Sequence, residues 1–310
     1  MGWARTWAAE PIEADMRQTY FDGLHPALCF GFFVVAICMT AVVQHPAYLA
    51  VSLLAGLCMN LSLSGLRALK HFARCLPLWV VLAGINPLLN SRGSQVLFTC
   101  LGRPYTWEAL CYGMVVAGMF VAMLQWFSAY NAVMTEDKFG YLFARLAPAT
   151  ALLLTTVLRM IPSLVRRAGQ IAGARQGVGL GGAGKPLRAR ITCGLAMLSV
   201  LTGWALEGGV VTADSMNSRG YGTGRRTSFY AYGWRAVDTL LAGAGVLLLG
   251  AALAALLSGG GRAEFTPVTV LAPVQGKTLL GWAAYLLLLT GPSLLNWKED
   301  IQWCILRYRI

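Results

Sequence analysis

Charge is scarce in this chain. Asp, Glu, Lys and Arg make up 12% of its 310 residues, while 57% are hydrophobic and the mean hydropathy is +0.59. Soluble globular domains carry about a quarter charged residues, so an ordinary soluble enzyme is excluded and the bilayer comes first. Acids are scarcer still, 13 against 25 Lys and Arg, for a net charge of +12. In a soluble protein that excess would point to nucleic acid; in an apolar one it is read first as membrane topology, and no nucleic-acid partner is expected. Only three histidines occur (25, 45 and 71), none paired at metal-ligand spacing. The eight cysteines (29, 38, 58, 75, 100, 111, 193 and 304) contain no C-x-x-C, and most sit in apolar runs as small buried hydrophobes. No metal and no cofactor is expected. With Glu10, Glu13, Asp15 and Asp22 near the start, no cleavable signal sequence is expected there.

What the chain has in abundance is long apolar runs. Crossing about 30 Å of hydrocarbon takes roughly 20 apolar residues in a helix. Six stretches qualify, at about 27–43, 47–66, 76–90, 108–133, 236–257 and 278–296. The third is short and contains Asn86-Pro87. Arg67, Lys70 and Arg74 mark the turn between the second and third as cytoplasmic, while Gln44-His45-Pro46 between the first two carries no Lys or Arg. The positive-inside rule then puts both termini in the cytoplasm, with Arg307 and Arg309 in the C-terminal tail.

Residues 134–235 break this pattern. Eleven of the 25 Lys and Arg fall between 159 and 235, against two acids, Glu207 and Asp214. The stretch is still rich in Leu, Val, Met and Ala, so it reads as long amphipathic helices at the cytoplasmic membrane surface. In 150–177, Leu154, Leu158, Ile161, Val165, Ala168 and Ala172 follow one face, and Arg159, Ser163, Arg166 and Gln170 follow the opposite one. A second helix over about 191–219 carries Glu207 and Asp214 on one face. The expected layout is an all-α integral membrane protein: 1–133 with four transmembrane helices, a coupling module at 134–235, and 236–310 with two more.

Between the two amphipathic helices lies Gly177–Pro186, which nearly matches G-x-x-x-x-G-K-[ST] through Gly179, Gly184 and Lys185. A phosphate-binding loop of that kind follows a buried strand and needs a hydroxyl for Mg²⁺ at its last position. Here an amphipathic helix precedes the glycines, Pro186 stands in the hydroxyl's place, and no second strand ending in Asp exists. The segment is a linker.

Each amphipathic helix closes on an arginine followed closely by glycine: Ala174-Arg175-Gln176-Gly177 and Ser218-Arg219-Gly220-Tyr221-Gly222. Glycine caps and C-terminal arginines are ordinary helix endings. At about 100° per residue, however, Arg175 lies about 160° from Arg159 and towards the apolar stripe, and Arg219 aligns with Leu201, Ala205, Gly208 and Thr212. Neither continues a solvated charged face. A guanidinium offers a planar fork to carboxylates or exposed carbonyls.

With these motifs in place, the chain resembles the T component of energy-coupling factor (ECF) transporters. Leu158-Arg159-Met160-Ile161-Pro162 is similar to the opening of that family's first coupling helix. Ala213 to Gly222, followed by Arg226-Thr227, is similar to its second signature. In the first motif Gln176 stands where the family has Gly, and in the second Ser218 stands where it has Ala. The resemblance implies a non-catalytic membrane scaffold in a prokaryotic plasma membrane. Ala174, Arg175, Gln176, Ser218, Arg219 and Gly220 would dock two separate ATP-binding cassette ATPase subunits. A substrate-binding membrane S component would carry a vitamin or transition-metal ion. Two other readings are a self-sufficient secondary transporter and a lipid-modifying membrane enzyme. The first would need ionisable residues inside the membrane, where only Glu108 and Asp238 occur, both near span ends; the second has only Glu136-Asp137 to offer.

Overall fold

The computed structural model describes residues 19–90, 95–100, 103–144, 147–182, 184, 186–224, 232–261, 263–264, 270–271 and 276–309. In chain order the elements are α1 (Pro26–Val42), α2 (Pro46–Ser64), α3 (Arg67–Leu89), β1 (Val96–Cys100), β2 (Arg103–Thr106), α4 (Trp107–Val133), α5 (Glu136–Ala144), α6 (Pro148–Gly177) and α7 (Leu187–Ser218). Then come α8 (Ala236–Ala255), a π-helical turn (Leu256–Gly260), β3 (Ala263–Glu264), β4 (Val270–Leu271) and α9 (Gly276–Arg309). Among the described residues the strands form two short antiparallel pairs, β1–β2 and β3–β4. The architecture is all-α. Among the described residues seven helices are long and apolar enough to cross a membrane: α2, α3, α4, α6, α7, α8 with its π turn, and α9. This is a multi-pass membrane protein.

Each of the six expected stretches falls in a helix, with α1 slightly short at 17 residues. The third differs most, since α3 begins at Arg67 and continues through Pro77 and Pro87. A proline inside a helix removes one hydrogen bond and crowds the preceding turn. Packing compensates at Pro87: Ala83 and Pro87 are buried, and Gly113 of α4 sits so close that an added Cβ would lie 2.7 Å from the Ala83 carbonyl oxygen. At the C-terminus α9 extends beyond 296 to Arg309, so the tail is helical. α6 and α7, read from the sequence as surface helices, are also apolar and long enough to span a bilayer.

The described residues divide into two compact units, one within Glu136–Ala231 and the other within Ile12–Thr135 and Tyr232–Ile310. In the second unit, the bundle, α1 and α2 start in the same way. His25 and His45 are the N-caps, Pro26 and Pro46 follow, and each imidazole Nδ1 accepts the backbone N–H of Ala27 or Ala47 at 3.2 Å. Proline suits the first helical position because its missing N–H is not needed there. The core gathers Phe21, Phe33, Tyr48, Met59, Trp126, Tyr285 and Leu289. Phe32 meets Trp126 edge-to-face at 5.8 Å, and Phe33 meets Tyr130 at 5.7 Å.

Several of the bundle's buried polar side chains are bonded across helices, which offsets the cost of placing them in an apolar interior. Trp126 Nε1 donates to Ser52 Oγ at 3.0 Å, and Ser52 shares a 2.7 Å bond with Thr40. Asn60 Nδ2 donates to the carbonyls of Gly56 and Gln125. Asn296 accepts the Phe21 N–H at 3.0 Å and donates to Ser62.

The first unit consists of α5, α6 and α7. α6 has 30 residues and α7 has 32, about 45 and 48 Å long at 1.5 Å per residue. Ala151 is the buried residue of α6, and α7 has none.

Candidate functional site

The ends of α6 and α7 carry the six residues singled out in the sequence. Both helices close with the same two bonds. At the end of α6 the Gly179 N–H bonds the Gln176 carbonyl at 3.1 Å and the Leu180 N–H bonds the Arg175 carbonyl at 2.8 Å. At the end of α7 the Gly220 N–H bonds Asn217 and the Tyr221 N–H bonds Met216, both at 3.0 Å. Gly179 has φ +74° and Gly220 φ +75°. These are paired Schellman caps, in which a left-handed glycine reverses the chain and serves the last carbonyls.

Aligning the caps separates the arginines. Val178 caps α6 and Arg219 caps α7. Arg175 therefore sits three residues inside its helix, about 4.5 Å back along the axis, with Gln176 and Gly177 continuing the helix beyond it. From the sequence both arginines are expected alike at helix ends; only Arg219 is a cap. The glycine that ends α6 is Gly179, not Gly177, because Gly179 adopts the positive φ.

Their surroundings differ too. Arg175 is half-buried, in line with half-buried Leu164, Ala168 and Ile171, and its Nε is shut from solvent with no hydrogen-bond partner. Arg219 is exposed. So are Ala174, Gln176, Ser218 and Gly220. The Ser218 hydroxyl is turned back to the Ser215 carbonyl at 2.9 Å, and Thr223 Oγ1 donates to the Gly220 carbonyl at 2.7 Å. Arg166 is exposed. The apolar stripe is narrower than the sequence suggests, since Ile161 and Val165 are exposed; over a helix this long, residues spaced by three and four drift around the axis.

Two contacts within this unit have no counterpart in the sequence reading. Arg167 of α6 places its guanidinium 4.9 Å from the ring centre of Trp204 in α7, a cation–π contact. Cys193 Sγ donates to the Leu180 carbonyl at 3.4 Å, and Gly182 lies beside Arg190 and Cys193, so the glycine linker packs back on the start of α7. The linker follows a helix that has run unbroken from Pro148, and Pro186 is the N-cap of α7. Gly179 is thus a helix cap rather than the start of a phosphate cradle. Lys185 lies outside the described residues.

Glu108 and Asp238 are both bonded to backbone N–H groups. Glu108, in the first turn of α4, accepts the Gln95 N–H with both carboxylate oxygens at 3.2 and 3.3 Å. Asp238, in the first turn of α8, accepts the N–H groups of Arg235 at 2.8 Å and His25 at 3.4 Å. Glu136 and Asp137 occupy the first turn of α5. Among the described residues no group of three or more His, Cys, Asp and Glu could hold a metal ion. No protein-family model matches the chain, and no curated protein matches its sequence.

Proposed function

We propose that the chain is the transmembrane scaffold and coupling subunit of an ATP-driven importer of the energy-coupling factor type. It hydrolyses nothing itself. The observation that carries this reading is the pair of glycine-capped helix ends in one unit, with Arg219 at one cap and Arg175 a turn before the other, in a chain whose other unit is a bundle of apolar helices. Two ATPase subunits would each engage one arginine. Their closure on ATP would move α6 and α7 against a substrate-binding membrane subunit, which would hold the vitamin or metal ion that the resemblance implies. Coupling of this kind requires only that the ATPases contact the helices differently in their two states. Both termini and the long-helix unit would face the cytoplasm of a prokaryotic cell. That Glu108 and Asp238 are bound to backbone N–H groups supports this reading over proton-coupled transport, which needs carboxylates available for titration.

Copurification tests the proposal. A tagged chain extracted from native membranes should bring down one or two ATP-binding cassette ATPases and a small apolar membrane protein. If the chain alone, in vesicles, accumulates a solute on an ion gradient, it is a secondary transporter and the proposal fails.

A further inference from the structure

One side of α3 changes character along its length. At 3.6 residues per turn, Lys70, Arg74, Leu78, Val81 and Ile85 fall within an arc of about 80°, and His71 widens it to about 100°. All six are exposed. The stripe is therefore cationic near the start of the helix and apolar beyond it. Arg67, a turn before Lys70 and His71, lies on the same stripe. The buried residues of α3, Ala68, Ala83 and Pro87, fall outside the arc.

Neither α3 nor the helices it packs on offer Lys70, His71 and Arg74 a carboxylate. No acid stands between Asp22 and Glu108 in the chain. α3 packs on α2 and α4. α2 contains no acid, and the one acid of α4, Glu108, lies in its first turn. That turn belongs to the far end of α3, because Gly113 lies against Ala83 and Asn86. On α9, by contrast, Lys298 is followed at once by Glu299 and Asp300. The apolar part of the stripe has a definite length: from Arg74 to Ile85 the helix rises about 16 Å, close to half of the roughly 30 Å of hydrocarbon in a bilayer. Of α2, α3 and α4, α3 is the least buried, so the stripe is open to lipid along that depth.

We infer that this stripe is a binding site for one anionic phospholipid, with the headgroup phosphate between Lys70 and Arg74 and an acyl chain along Leu78, Val81 and Ile85. Lys70 and Arg74 are one turn apart, so a single phosphate can meet both, the guanidinium as a two-pronged donor and the ammonium as a point charge. His71 adds an N–H in either ring form. Long cationic side chains reach headgroup depth while their stems stay among the acyl chains. A zwitterionic lipid brings its own cation to the stripe and an anionic lipid does not, which sets the preference. Basic residues beside a membrane span attract anionic lipid in general; a site for one molecule follows from cations and apolar side chains sharing one stripe. The inference holds whichever side of the membrane this end faces.

Native mass spectrometry of the full-length chain in detergent tests it, with phosphatidylglycerol and phosphatidylcholine of identical acyl chains supplied in equal amounts. One phosphatidylglycerol should be retained at least fivefold over phosphatidylcholine, and excess glycerol phosphate should not displace it. The decisive variant moves the charges without removing them: Lys70→Gln with Leu69→Lys, and Arg74→Gln with Ala73→Arg. Positions 69 and 73 are exposed but lie off the stripe, so the number of basic residues in these turns is unchanged. This variant should lose the preference, whereas Lys298→Gln should keep it. Should the variant fail to fold, phosphatidylglycerol with a photoreactive acyl chain decides on the unsubstituted protein, where the label should map to residues 78–85. Equal retention of the two lipids, displacement by glycerol phosphate, an unaltered preference after the charges are moved, or labelling elsewhere would overturn the site and leave these cations to an acidic protein segment or to solvent.

Discussion

Arg175 lies one helical turn before the position that Arg219 holds, when α6 and α7 are aligned by their Schellman caps. The glycines at 179 and 220 should therefore not be interchangeable in effect. A Cβ at φ near +75° is strained, at about 1 kcal/mol, so Gly179→Ala and Gly220→Ala should each loosen the last turn of their helix. Hydrogen exchange should show similar loss of protection at both ends. Because Arg219 is itself the cap, Gly220→Ala should also weaken retention of ATPase subunits, whereas Gly179→Ala frays the chain beyond Arg175 and should leave retention nearly intact. Equal losses of retention would mean that the offset does not matter.

The Arg167–Trp204 contact should couple α6 to α7. A double-mutant cycle with Arg167→Ala and Trp204→Leu, read by thermal melting, should give about 0.5–1 kcal/mol of interaction at this partly exposed site. Zero coupling would mean that the two side chains merely lie near each other.

His45 makes the start of α2 sensitive to pH. Burial pushes its imidazole below the usual 6.5, because the buried site disfavours the cation. Protonation also removes the Nδ1 acceptor that caps the Ala47 N–H. With a folded value below the unfolded one, the stabilisation is complete above about pH 6.5. It is lost as pH falls from there through the lower folded value, and is constant below it. His45→Asn keeps a capping acceptor and should flatten that slope, while His45→Ala should lose both the slope and about 1 kcal/mol. Melting curves between about pH 5 and 8 would show it.

Two glycines in different settings should respond oppositely to alanine. At Gly113 the added Cβ would press on the Ala83 carbonyl and on Asn86 Cβ at 2.8 Å, an overpacking cost of about 1–3 kcal/mol. Gly194 of α7 has nothing within 4 Å, and Gly→Ala there should stabilise the helix by up to about 1 kcal/mol. Comparing the two melting temperatures checks both signs.

Much of this fold is legible in the sequence because hydropathy alone demands it: a run such as Leu240 to Leu257, through α8 and into its π turn, has nowhere to go but helix. Helix ends are harder. Gly177 and Gly179 are equally good cap residues on paper, and only the positive φ of Gly179 places Arg175 inside α6 rather than at its end. His25 and His45 read as unpaired histidines, yet each is followed by Pro-Ala, and that repeated triplet was the available signal for two helix starts. The Arg167–Trp204 contact depends on how α6 crosses α7, which no spacing along either helix encodes.

The coupling role itself is tested most directly by substitutions of three arginines on α6 and α7, read as ATPase retained on the tagged chain. Arg175→Ala and Arg219→Ala should each cut retention by the equivalent of about 2–5 kcal/mol, the usual cost of removing one partner of a buried charged contact. Arg166→Ala, exposed on the same helix as Arg175, should change it by less than about 0.5 kcal/mol. Arg219→Lys should resemble Arg219→Ala, because an ammonium cannot reproduce the planar fork. If Arg166→Ala and Arg175→Ala prove equally harmless, or equally damaging, positive charge alone is at work and the docking role is contradicted.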